Sequence, residues 1–322
     1  MSFDAIPRIG DESPADPTGA MGTDWILAAV NTSYALYDLE GVSKLGPASF
    51  APFFSFPLGT WLFNPKIVYD QYSQVFVMGF LASNGSQRKS WILLVTVPNA
   101  TAGDQRPGAV PRSLPIGSPA GKVEAASSAT QGGGGLANPN TLWDPGDLRF
   151  VNAPHDADLG RVYAAHKAAR NLRPDSNTDG YLEATVRWYE LKPGGTISGS
   201  KITRTGVIGA PETDVGWPVV ATDGSGNLYV SHSQASAVTG EFLSACATSI
   251  PPGGTGGRSI LLASGTARME AVVGPEPWGA YGAANRDPTS PAMVAIVSQY
   301  ARSDGSGATE DWQQTFSLVS QP

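Results

Sequence analysis

A single cysteine, Cys246, stands in 322 residues, so no disulfide can form within the chain. A buried, inert thiol is the expectation for it. Charge is scarce as well: Asp, Glu, Lys and Arg make 15% of the residues, against about 25% in ordinary globular domains. The net charge of −7 lacks the basic footprint that nucleic-acid binding requires. No apolar run reaches membrane-spanning length; Trp91–Val97 is among the longest. No basic segment followed by an apolar core comes after Met1. Low charge with abundant Gly, Pro, Ser and Thr resembles the composition of secreted bacterial proteins, so the expectation is a secreted protein whose leader is absent from this sequence, with a cytoplasmic protein as the alternative. Helical periodicity is also missing, except for a weak candidate at Ser236–Ala247. Gly117–Lys122 has three residues where a phosphate-binding loop needs four, and no G-x-S-x-G elbow exists.

Turn formers are plentiful. Gly 38 and Pro 26 together make about a fifth of the chain, above the usual sum of roughly 12%. Short apolar runs alternate with turns. Trp25–Val30 closes at Asn31, Lys66–Tyr69 at Asp70, Leu148–Val151 at Asn152, Pro218–Thr222 at Asp223, and the Pro277 stretch at Asn285. Asn and Asp suit these places because they cap the following amides and tolerate left-handed backbone. Most of these marks stand roughly 60–80 residues apart, the spacing of three- or four-stranded repeats. One such sheet cannot bury both of its faces; arranging several around an axis does. The prediction is an all-β, single β-propeller. Five blades are favoured, with six as the alternative if 98–143 hides one. Strands from the N- and C-terminal regions, Trp312–Val319 among them, close the ring. Residues 1–20 read as an irregular arm, 21–322 as the propeller, and 98–143 as a long loop insertion with at most a weak strand pair.

On these residues the chain resembles a family of secreted bacterial β-propellers related in style to sialidase-type BNR-repeat proteins. Asn64-Pro65-Lys66-Ile67-Val68-Tyr69-Asp70 is similar to the family's D-P-K-V-x-Y-D. Asn31 to Tyr37-Asp38, Arg161–His166, Val186–Leu191 and Asp223–Ser233 match further pieces. Trp278-Gly279 with Tyr281 and Asp287-Pro288 resembles its R-W-G-D-Y…D-P signature. Pro277 stands where that signature has Arg, Ala280 where it has Asp, and Asn64 replaces the first Asp of D-P-K. The S-x-D-x-G-x-T-W box of sialidases is missed at both 222–226 and 303–309. The resemblance implies fold and secretion more than chemistry.

In a propeller the innermost strands start together at one end of the axis. The predicted starts bring Asp24 and Trp25, Asn64 and Lys66, Asp144, Asp147 and Arg149, Asp214 and Trp217, and Trp278 with Tyr281 to one mouth. Aromatic faces beside charged groups are the chemistry that holds sugars. Lys66, Arg149, Trp217, Trp278 and Tyr281 are the ligand-binding candidates. Asp24, Asp147 and Asp214 are the catalytic ones, since paired carboxylates can hydrolyse a glycosidic bond. The plainer reading makes all of these strand caps, ion pairs and core indoles. The expected function is an extracellular, non-catalytic module or scaffold that binds a glycan or a protein partner. The alternative is a glycoside hydrolase or polysaccharide lyase using the axial mouth; His166, Tyr163 and Arg187 supply the residue types of a lyase. His155-Asp156-Ala157-Asp158 reads as a solvated turn, with metal binding as its sharper alternative. No cofactor is expected beyond structural calcium in the Asp223–Asn227 or Asp304–Gly307 loops.

Overall fold

The computed structural model describes residues 1–8, 15–50, 60–71, 73–84, 89–98, 112–115, 129–130, 142–145, 150–170, 172, 183–194, 199–269, 278, 282–303 and 312–321. The N-terminal strand is β1 (Ser2–Pro7). Blade one is β2 (Thr18–Met21), β3 (Ile26–Val30), β4 (Ser33–Tyr37) and β5 (Ser43–Ser49). Blade two is β6 (Thr60–Asp70), β7 (Val75–Asn84), β8 (Lys89–Pro98) and β9 (Arg112–Pro115). A two-stranded ribbon follows, β10 (Ala129–Thr130) with β11 (Leu142–Trp143). Blade three is β12 (His155–Asp156), β13 (Arg161–Arg170), β14 (Glu183–Lys192) and β15 (Lys201–Ile208). Blade four is β16 (Asp214–Thr222), β17 (Leu228–Ser236), β18 (Glu241–Ile250) and β19 (Arg258–Ala263). Blade five is β20 (Ala283–Arg286), β21 (Met293–Ala301) and β22 (Trp312–Ser320), completed by β1 as its outer strand.

The protein is thus a single five-bladed β-propeller. All pairings within blades are antiparallel. The first strands of the blades lie innermost: β2 beside β6, β16 beside β20, and β20 beside β2. Where the sequence kept a sixth blade open, the described residues hold the two-stranded ribbon of β10 and β11 and no further four-stranded sheet. No helix in them is long and apolar enough to cross a membrane.

Several expectations are corrected. Residues 2–7, read as part of an irregular arm, pair with β22 at Ser2–Ser317 and Phe3–Phe316 and close the ring. Thr18–Met21, also inside that arm, is the first inner strand. The apolar run taken as inner, Trp25–Val30, is therefore the second strand of its blade. Ser236–Ala247, the weak helix candidate, is the end of β17, a turn and most of β18. Within 98–143, Arg112–Pro115 is the fourth strand of blade two.

Blade faces bury each other through strands that alternate. In β7, Phe76, Met78, Phe80 and Ala82 point inward with a period of two and meet Leu27, Ala29, Leu36 and Phe50 of blade one. Blades three and four join through Trp188, Val186, Val230 and Ile250. Blades four and five join through Tyr229, Ala247, Val294 and Ile296.

Three inner-strand entries share one local device, a left-handed residue before proline. These are Asp16 (φ 47°), Asn64 (φ 51°) and Trp217 (φ 49°), before Pro17, Pro65 and Pro218. In β6 and β16 the register breaks at that point, between Phe63 and Lys66 and between Gly216 and Val219. These are β-bulges, which re-aim the strand that carries them. Asp and Asn tolerate this backbone; a Trp does so only when its surroundings hold it. Trp217 donates its amide to Pro145 O at 3.2 Å and its indole N–H to Asp144 O at 2.7 Å.

Candidate functional site

At the end of the axis where the inner strands finish, all five blades line one cleft of about 560 Å³. Gly19 comes from blade one, Ile67 to Asp70 from blade two, and Asn152 to Asp158 from the entry to blade three. Ala221 and Thr222 come from blade four, and Ala284 to Arg286 with Pro288 from blade five. The volume lies within the roughly 300–1,000 Å³ of small-ligand sites. Apolar and aromatic surface from Ile67, Tyr69, Pro154 and Pro288 alternates with amides, carboxylates and one guanidinium.

Arg286 organises the polar half. Its Nη2 donates to Asp156 Oδ2 at 2.5 Å and to Asp223 O at 3.1 Å. Its Nη1 donates to Asp158 Oδ2 at 2.8 Å, and its Nε to Thr222 O at 3.3 Å. Asp156 is fixed further by the Thr222 hydroxyl at 2.7 Å and the Leu159 amide at 3.1 Å. Four hydrogen bonds of this kind hold a guanidinium in one orientation at the cleft wall.

Two asparagines on the rim stitch blades together. Asn152 Nδ2 donates to Val220 O at 2.8 Å, while its Oδ1 accepts the Val220 amide at 3.0 Å. Asn285 does the same to Met21, at 3.3 Å in each direction. Each side-chain amide stands in for a strand partner of the next blade's inner strand. Asp223 instead caps its own turn, accepting the amides of Ser225 and Asn227, each at 2.9 Å, and the Asn227 side chain at 2.7 Å.

The described sequence-derived candidates do not all lie at one end. Asp24 and Trp25 follow β2 rather than begin it, so they sit at the finishing end; neighbouring Thr23 is 3.5 Å from the Tyr69 hydroxyl. Trp25 packs against the blade one–two core. Asp214 and Trp217 lie at the opposite, starting end. Asp214 is buried and accepts the Ala184 amide at 2.8 Å. Trp278 is 1% exposed and donates its indole N–H to Ser233 Oγ at 2.8 Å. It shares one packed cluster with Trp143 and the partly buried Trp217. Lys66 is partly buried in β6; burial pulls its amine down to about 7, against an upward push from the Asp16 carboxylate. Asp147, Arg149 and Tyr281 lie outside the described residues.

The metal and lyase readings change too. Asp156 is no solvated carboxylate: with Asp158 it holds Arg286, a cation already in place. His155 beside them is exposed. Among the described residues no group of three or more His, Cys, Asp and Glu stands together as a metal ligand set. The Asp223 carboxylate, named for calcium, is engaged by its own turn; Asp304–Gly307 lies outside the described residues. Tyr163 is buried on the opposite face of β13 from His166. Tyr189 takes its place, its hydroxyl 2.9 Å from His166 Nε2, with Arg187 over its ring at 5.5 Å. Arg286, Asn152 and Tyr69 are the cleft residues that sequence reasoning missed. Part of their signal was present in the blade-closing marks: Asp70, Asp223 and Asn285 sit at or beside the ends of inner strands, while Asn152 precedes β12 and Asn31 follows the second strand of blade one.

No protein-family model matches the sequence, and no curated protein matches it. Solved structures do superpose. A GH43_1 enzyme from Xanthomonas citri complexed with xylose shares 11% identity, covering 98% of this chain and 91% of that one, with a TM-score of 0.40. An exo-1,5-alpha-L-arabinanase from a bovine ruminal metagenomic library shares 12%, covering 99% and 94%, with a TM-score of 0.39. The GH93 alpha-L-arabinofuranosidase of Fusarium graminearum with arabinobiose shares 9%, covering 99% and 98%, with a TM-score of 0.37. All three are carbohydrate-active enzymes. At these values no site is carried across from them.

Proposed function

We propose that this propeller recognises a carbohydrate chain in its axial cleft. The observation behind the reading is that five blades contribute to one cleft of about 560 Å³, in which apolar and aromatic faces alternate with fixed donors and acceptors. A pyranose or furanose ring presents C–H faces and hydroxyl edges, and needs both kinds of wall. Binding alone is the reading the geometry supports best, because the most buried cleft carboxylate, Asp156, is bonded to Arg286, Thr222 and Leu159. Its oxygens are thus turned to protein donors rather than presented to a bound chain.

Hydrolysis of the bound chain is the second reading. It is favoured by the two further carboxylates, Asp70 of blade two and Asp158 of blade three, that line the same cleft from neighbouring blades. Affinity electrophoresis through gels containing soluble polysaccharides tests recognition. Retardation by at least one polysaccharide is expected. It should vanish when Ala153 and Ala157, both exposed and lining the cleft, are replaced by Leu, with stability unchanged to about 0.5 kcal/mol. Retardation that survives this filling would place the ligand elsewhere. Release of reducing ends, abolished by Asp70→Asn, would move the conclusion to hydrolysis.

A further inference from the structure

We infer that Asp158 sets the charge selectivity of the axial cleft, admitting neutral glycan and turning away acidic sugars. The inference rests on the glycan reading above and concerns which glycan. Among the described residues that line the cleft, Arg286 is the one with a permanent positive charge. A uronate carboxylate would pair with it, since a guanidinium offers a two-pronged match to that group. Here both prongs are taken. Nη2 faces Asp156 and Nη1 faces Asp158. The trio carries a net charge of −1, so an incoming carboxylate meets repulsion. A sugar hydroxyl carries no charge, and as both donor and acceptor it suits the mixed wall.

The two aspartates are not equivalent. The Asp156 side chain is 1% exposed and is held by three donors. The Asp158 side chain is 78% exposed, and Arg286 is the partner the structure gives it. A solvated pair of this kind adds little to stability. Its effect falls instead on what else Nη1 can reach. Asp158→Asn would remove the charge, bring the trio to neutrality and release Nη1 toward the cleft, leaving Asp156 to keep Arg286 in position.

The test compares wild type, Asp158→Asn and Glu212→Gln by affinity electrophoresis and titration calorimetry. The probes are neutral arabinan, xylan, galactan and mannan, and acidic polygalacturonate. Glu212 is exposed in the loop before β16, at the far end of the blades, so its substitution makes the same change in net charge away from the cleft. Wild type should bind at least one neutral polymer and leave polygalacturonate unbound. Asp158→Asn should gain polygalacturonate binding by about tenfold or more, as a charge-assisted hydrogen bond allows; Glu212→Gln should not. Polygalacturonate bound by wild type as tightly as a neutral chain would overturn the inference while leaving the glycan reading standing. So would a gain no larger than that of Glu212→Gln. Absence of binding to every polymer by all three proteins would overturn the glycan reading itself, and the selectivity with it.

Discussion

At the scale of single residues, the indoles are the test of whether aromatics here pack or bind. Trp278, at the axis in the sequence reading, is buried with its N–H on Ser233. Trp278→Ala should lower unfolding free energy by about 3–5 kcal/mol, the cost of truncating a packed aromatic, as read by chemical denaturation. An unchanged midpoint would contradict the packing role. His232 is buried between blades, with Nε2 3.2 Å from the Thr248 hydroxyl. Burial pulls its pKa down to about 4, against a smaller upward push from the adjacent Ser233 backbone. Between about 6.5, its unfolded value, and about 4, the unfolded chain holds a proton that the folded one refuses. Stability should therefore fall as pH drops through that window, and be insensitive to this group above it. A His232→Gln variant should show a shallower loss over the same range. An equal loss in both proteins would assign the acid sensitivity to other groups.

At the scale of elements, the turn residues carry more than turns. Asn152 and Asn285 each place an amide against the inner strand of the following blade. Asn152→Asp would keep the acceptor for the Val220 amide but set a carboxylate oxygen against the Val220 carbonyl. A loss of about 1–3 kcal/mol is expected, the cost of an unmet buried group. A stability unchanged in thermal melts would mean water replaces the stitch. The bulge residues make a second case. Asn64→Gly should be neutral or nearly so, because glycine accepts positive φ, whereas Asn64→Val should cost about 1–3 kcal/mol in backbone strain. Equal melting temperatures for the two would contradict the left-handed assignment. The turn letters were legible in sequence, since Asn and Asp close apolar runs. Their partners were not, because a hydrogen bond to another blade leaves no spacing behind. Thr18–Met21 was missed for a related reason. Thr18, Gly19, Ala20 and Met21 are buried on both sides and show no alternation. Ser2–Pro7 is short, and its adjacent Ala5 and Ile6 are both buried, so it too shows no alternation.

At the scale of the whole molecule, strand periodicity and the repeat length foretold a five-bladed ring, because each sheet must bury both faces. That a cleft lies at the finishing ends was not foretold. Its placing depends on which strand of each blade lies innermost, and reading Trp25–Val30 as inner put Asp24 and Trp25 at the opposite end from where they lie. Closure is testable on its own. Removing residues 1–8 would strip β1 from β22 and leave an unpaired edge on blade five. The truncated protein should melt earlier and associate on standing; an unaltered melt would mean that β1 does not close the ring in solution. The central claim is that the cleft at the finishing ends of the inner strands is where a glycan binds. Its most direct test is a crystal soaked with the oligosaccharides of whichever polymer retards the protein. The account predicts sugar density between Tyr69, Asn152 and Arg286. Density confined to the starting end, near Trp217 and Asp214, or to the outer blade faces, would contradict it.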